Sequence, residues 1–88
     1  MNIGEAAKLA TSEDYKERFF GEYAEVRIRH DRLDNILKKW KAGDLPSCFS
    51  PSCSYSLLDR QLRAMSEYIF ILEERARIEG IELPKVER

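Results

Sequence analysis

LLDRQLRAMSEYIFILEERARIE, residues 57–79, contains neither glycine nor proline. Leu58, Leu62, Met65, Ile69, Leu72 and Ala76 alternate spacings of four and three along it. This is the seven-residue repeat of helices that pack with a left-handed twist. A second stripe runs beside the first: Leu57, Gln61, Ala64, Tyr68, Ile71, Arg75 and Ile78. The segment therefore reads as one long helix with two faces to bury.

The chain on either side supplies the partner. Residues 43–56 hold Gly43, Pro46, Pro51 and five serines, the composition of a loop. Before it, residues 12–42 contain no proline and a single glycine, Gly21. There Phe19, Tyr23, Val26, His30, Leu33, Leu37 and Trp40 repeat the four-three spacing. The first helix is expected to start near Thr11 or Ser12, either of which can cap free amides, and to stop at Gly43. The second is expected to start at Ser54 or Ser56, with Ser56 and Asp59 spaced like a capping box, and to stop at Gly80. Asp14/Arg18, Glu25/Arg29, Asp34/Lys38, Asp59/Arg63 and Glu73/Arg77 are acid-first i,i+4 pairs. Each is worth roughly 0.2–0.5 kcal/mol. The predicted layout is one all-α domain over 1–88: helix 12–42, loop 43–55, helix 56–79 and tail 80–88. The linker lets the two helices fold back antiparallel as a helical hairpin.

With 88 residues, the chain is marginal as a lone folding unit, and such chains usually need a staple or a partner. Phe20, Ala24, Ile28 and Ile36 lie outside the main seam of the first helix, adding to the surplus stripe of the second. Exposed apolar surface of that kind marks an interface. A homo-oligomer is expected, most simply a dimer forming a four-helix bundle. The alternative is that residues 1–11 and 81–88 fold over the second stripe.

Charge excludes some functions. Lys and Arg total 15 against 16 Asp and Glu, a net charge of −1, which disfavours a dedicated nucleic-acid binder. No membrane span or export signal is expected, so a reducing cytoplasm is the expected compartment. Cys48, Cys53 and His30 are too few and too widely spaced for a structural zinc site, and they read as free thiols and a seam histidine. No Ser or Cys is placed beside His30 with a third orienting group, so no nucleophilic triad is expected. There is no glycine-rich phosphate loop and no carboxylate cluster, so neither an enzyme nor a cofactor is expected. The arginines are the suggestive group: Arg27, Arg29, Arg32, Arg60, Arg63, Arg75 and Arg77 sit on the long helices. Arg75, Gln61 and Tyr68 share the second stripe, where they could grip a phosphate and a base. The plainer reading is that Arg75 snorkels from an interface or pairs with a glutamate. Trp40, Phe49 and Tyr55 read as a small cap at the loop end.

Tyr15-Lys16-Glu17-Arg18-Phe19, Glu22-Tyr23, Arg29 and Arg32-Leu33 resemble a family of small phage proteins related to a crAss-like phage early protein. Leu57 through Met65, with its Q-L-x-A-M-x-x-Y string ending at Tyr68, carries the same likeness, as do Leu72-Glu73, Arg75-Ala76 and Glu79 through Leu83. The resemblance covers roughly 15–83. That family is similar in size and build to the helical-hairpin sponges that phages use against CBASS and Thoeris defence. It implies an oligomer that holds a cyclic nucleotide, either a cyclic ADP-ribose isomer or a cyclic oligonucleotide, without cleaving it. Under that likeness the pocket residues are Tyr23, Arg29, Gln61, Tyr68 and Arg75, with arginines on phosphates and Tyr and Gln on base or ribose. A different class of function stays open beside it: an adaptor or inhibitor that grips a host protein through the second stripe.

Overall fold

Three helices begin where a side-chain oxygen takes up amides that a first helical turn leaves free. The structure, a computed structural model, describes residues 1–45 and 51–84. Its helices are α1 (Ile3–Ala10), α2 (Tyr15–Ala42) and α3 (Tyr55–Glu79), with no strand among the described residues. Asn2 caps α1 by accepting from the Glu5 N–H at 2.9 Å. Asp14 caps α2, accepting from the N–H groups of Lys16 and Glu17 at 2.8 and 3.2 Å. Ser54 caps α3, accepting from the Leu57 N–H at 3.1 Å.

One start differs from the sequence expectation, and for α3 the first of its two expected starts, Ser54, is the one taken. Thr11 closes α1 instead of opening α2, and Ser12 accepts from the Asp14 N–H at 3.1 Å. The Asp14 carboxylate, with two charged acceptor oxygens, takes the capping position. Ser56 and Asp59 lie inside α3, because Ser54 has already met the free amides. Gly43 and Gly80 end the long helices at φ 75° and 69°, the left-handed conformation that glycine adopts without steric cost.

α2 and α3 run antiparallel, as four cross-helix pairs show. Tyr15 meets Glu79, Tyr23 meets Glu73, His30 meets Ser66, and Trp40 meets Tyr55. Between them lies the core: Phe19, Tyr23 and Val26 against Ile69, Leu72 and Ala76. The tail folds back past Gly80, burying Ile81 and packing Leu83 on the same cluster. At the loop end the Trp40 and Tyr55 rings meet edge to face at 5.5 Å, an aromatic contact that closes the hairpin. Phe49 and Cys48 lie outside the described residues.

α1 accounts for part of the apolar surplus. It packs on α2 across Gly21, so closely that a Cβ there would stand 2.3 Å from the Ala10 nitrogen and 2.6 Å from the Ala6 carbonyl oxygen. Ala24 and Ile28 continue that face at helical spacing and are fully buried. Residues 1–11 thus cover the extra face of α2, not the second stripe of α3. That stripe keeps Leu57, Tyr68, Ile71 and Ile78 exposed.

Candidate functional site

Arg18, Glu22, Glu25, Arg29, Arg32 and Ile36 follow the four-three spacing along α2, so they share one face. The second stripe of α3 flanks that face. Among the described residues, two concavities open along it. The one nearer the loop holds about 270 Å³, with Arg29, Arg32, Leu33 and Ile36 on α2 and Gln61 and Met65 on α3. Among the described residues, Arg29, Arg32 and Gln61 make no ion pair or hydrogen bond. The expected Glu25/Arg29 pair is not formed, whereas Asp34–Lys38 at 2.9 Å and Asp59–Arg63 at 3.1 Å are. The result is two uncommitted guanidinium groups and an amide above an apolar floor. Guanidinium forks match phosphate oxygens two at a time, and an apolar floor takes a base.

The second concavity, about 410 Å³, is larger and chemically different. Arg75 lies there with its guanidinium 4.9 Å above the Phe19 ring, donating to the Tyr15 hydroxyl at 3.2 Å. Its Nε stands 3.8 Å from Glu79, to which Tyr15 also donates at 2.8 Å. The Tyr15 bond, before any charge effect of Glu79, raises the Arg75 pKa further above its ordinary value. Arg18 turns to the carbonyls of Ser12 and Glu13, at 3.1 and 2.7 Å. Glu22 and Glu25 line the same wall. Its arginines are already engaged and two carboxylates balance them, so within one chain this hollow is a poorer anion site than the first.

The five residues singled out from the sequence therefore do not converge within one chain. Arg29 and Gln61 share the smaller concavity, while Arg75 lines the larger one. Residues 61 and 75 are fourteen positions apart on one straight helix, about 21 Å at 1.5 Å per residue. Tyr68 sits between them and donates to Glu22. Tyr23 is buried in the core and donates to Glu73 at 3.0 Å, so it reaches neither hollow. Burial first, and the Glu73 bond second, push the Tyr23 hydroxyl above its ordinary pKa of 10. Leu33, Ile36 and Met65 went unremarked as site residues, although the heptad spacing places them beside Arg29 and Gln61.

His30 corrects the sequence reading. Ser66 Oγ lies 2.8 Å from its Nε2, and the buried Asp31 stands 3.1 Å from its Nδ1. Ser66 sits on a flank of α3 whose register against α2 the sequence does not fix. The row has the atom order of a nucleophilic triad, but the one hydroxyl proton of Ser66 goes to the Leu62 carbonyl at 3.1 Å, not to His30. The backbone N–H groups next to Ser66 in α3 belong to a helix interior and are spent on the helix ladder. The row acts as a polar clamp between the helices.

Among the described residues no group of three or more His, Cys, Asp or Glu could hold a metal, and no helix is long and apolar enough to cross a membrane. Residues 13–78 match the Sequestin family model, which takes in the long helices and leaves α1 outside. No curated protein and no solved structure matches the chain. The likeness to crAss-like phage proteins has no counterpart in these comparisons.

Proposed function

This chain belongs to the Sequestin family, and from that premise we propose that it binds and sequesters a small cyclic nucleotide signal without cleaving it. The family name speaks of sequestration. The ligand class comes from the resemblance to phage sponges against CBASS and Thoeris, which also implies the cytoplasm of an infected host bacterium and a homo-oligomer. The observation that carries the reading is the pair of uncommitted arginines, Arg29 and Arg32, beside Gln61 over Leu33, Ile36 and Met65.

The chemistry follows from those groups. The guanidinium forks of Arg29 and Arg32 take the phosphate oxygens through charge-assisted hydrogen bonds. The Gln61 amide, with two donors and an acceptor, reads a base edge or a ribose hydroxyl. The apolar floor accepts the base face. A sponge needs no more than this: free signal falls by mass action once protein exceeds ligand and the dissociation constant lies below the signalling concentration.

A thermal-shift screen against cyclic dinucleotides, cyclic trinucleotides and cyclic ADP-ribose isomers tests it. The expected result is a rise of several degrees with one class, with intact ligand recovered after heat release. Arg29→Ala/Arg32→Ala should remove the shift while keeping the helical circular dichroism. A chemically altered ligand overturns the non-cleaving role. No shift across the panel moves the function to a host-protein partner.

A further inference from the structure

α1 covers Ala24 and Ile28 on the extra face of α2, and among the described residues nothing covers the second stripe of α3 in the same way. Leu57 is 51% exposed, Tyr68 40%, Ile71 45% and Ile78 73%. We infer that a second copy of this chain covers this face, antiparallel to the first, with the two-fold axis passing beside Tyr68. The inference rests on the oligomer of the sponge reading and adds its face, direction and register.

Three observations converge on that axis. The α3 stripe matches itself when reversed about Tyr68: Leu57 falls against the partner's Ile78, Ala64 against the partner's Ile71, and Gln61 against the partner's Arg75. A parallel arrangement would instead set Arg75 against the partner's Arg75, two like charges at one seam. Along α2, the face carries Glu22 and Glu25, then Arg29 and Arg32. Reversed about residue 27, Glu25 meets the partner's Arg29 and Glu22 meets the partner's Arg32. The hydrogen bonds Tyr23–Glu73 and His30–Ser66 then fix the helix register, setting residue 27 level with Ile69, one position from Tyr68. The apolar match on α3 and the charge match on α2 thus arise from one axis, as an isologous dimer requires.

The site gains from this. Gln61 and Arg75, held about 21 Å apart in one chain, meet across the axis, and the concavity of Arg29 and Arg32 is closed by a third guanidinium. Two such sites form per dimer. When they are empty, the partner's Glu22 and the partner's Glu25 neutralise the arginines; an anionic ligand takes their place.

The test uses the full chain without nucleotide. Light scattering and sedimentation should give a dimer. In a Cys48→Ser/Cys53→Ser background, Tyr68→Cys should cross-link to its own copy under mild oxidation, because a disulfide spans at most about 7 Å between Cα atoms. Ile78→Cys alone should not cross-link, but mixed with Leu57→Cys it should. As a second readout, Arg29→Glu/Arg32→Glu should give a monomer, and adding Glu22→Arg/Glu25→Arg should restore the dimer. A monomer at every concentration, Ile78→Cys cross-linking to itself as readily as Tyr68→Cys, or no rescue by the quadruple variant overturns the inference. A dimer that binds no nucleotide leaves this axis standing and removes the sponge reading; a monomer that binds nucleotide does the reverse.

Discussion

Gly21→Ala is the substitution whose sign depends most directly on α1. In a helix free on that side, alanine gains up to about 1 kcal/mol over glycine. Here the added Cβ would stand 2.3 Å from the Ala10 nitrogen and 2.7 Å from its Cα, both backbone atoms that cannot rotate away. Either α1 moves outward by about an ångström, an overpacking strain of ~1–3 kcal/mol, or it leaves α2. Leaving exposes Ile28, worth ~1.5–3 kcal/mol, and the methyls of Ala6 and Ala24 at roughly 0.8 kcal/mol each. The freed segment recovers conformational entropy, and the alanine gain offsets part of the loss. The net expectation is a destabilisation of about 2 kcal/mol. At ~4–8 °C per kcal/mol for a domain of this size, the midpoint should fall by roughly 8–16 °C. Thermal and urea unfolding followed by circular dichroism measures it, with amide exchange over residues 3–10 reporting the release of α1. A variant more stable than wild type would refute the docking of α1 on α2.

Gly43→Ala and Gly80→Ala should each cost about 1 kcal/mol, from positive φ alone, since nothing lies within 4 Å of either added Cβ; a neutral result in urea titration would remove the left-handed caps. Tyr23→Phe should cost about 1 kcal/mol by leaving Glu73 without its donor. Because folding raises the Tyr23 pKa above 10, the fold favours the neutral phenol; its stabilisation is complete below pH 10 and disappears as pH rises through the folded value. Stability curves from pH 8 to 12 should therefore fall less steeply for Tyr23→Phe than for wild type, and superimposable slopes would discard that assignment. Ser66→Ala should lower stability by about 1 kcal/mol and leave nucleotide affinity unchanged, since the His30 row lies off the arginine face; a lost thermal shift with the fold intact would put Ser66 in the site.

The all-α hairpin was legible because three independent signals agree on it: the four-three apolar spacing, the proline-rich break at 43–56 and the glycines past each helix. α1 was not legible. Its eight residues carry little beyond the Asn2/Glu5 spacing of a capping box, and its seat is Gly21, which in sequence reads as a glycine merely tolerated within a helix. Ala24 and Ile28 were therefore counted toward a second chain, although α1 covers them. The arginines stood out as a group, but which of them are committed depends on side-chain partners that spacing does not decide. Glu25 lies four residues before Arg29 and leaves it unpaired, while Arg75 is held by Tyr15 from sixty positions away. Gln61 and Arg75 share a stripe, which is a property of direction; within one chain the length of helix between them, about 21 Å, keeps them apart.

The order of contacts along the chain carries a kinetic consequence. Among the described residues, α1 packs on α2 and α2 on α3, each helix touching its sequence neighbour. The hairpin can therefore close from its loop outward, with a small loop-closure entropy at each step, and folding should be fast, in the microsecond-to-millisecond range of helical bundles. The α1–α2 unit is complete once residue 42 has been made, so it can form while α3 is still being synthesised. The arginines of α2 are thus set on their helix before Gln61 exists, and the last segment to arrive brings the stripe through which copies would meet.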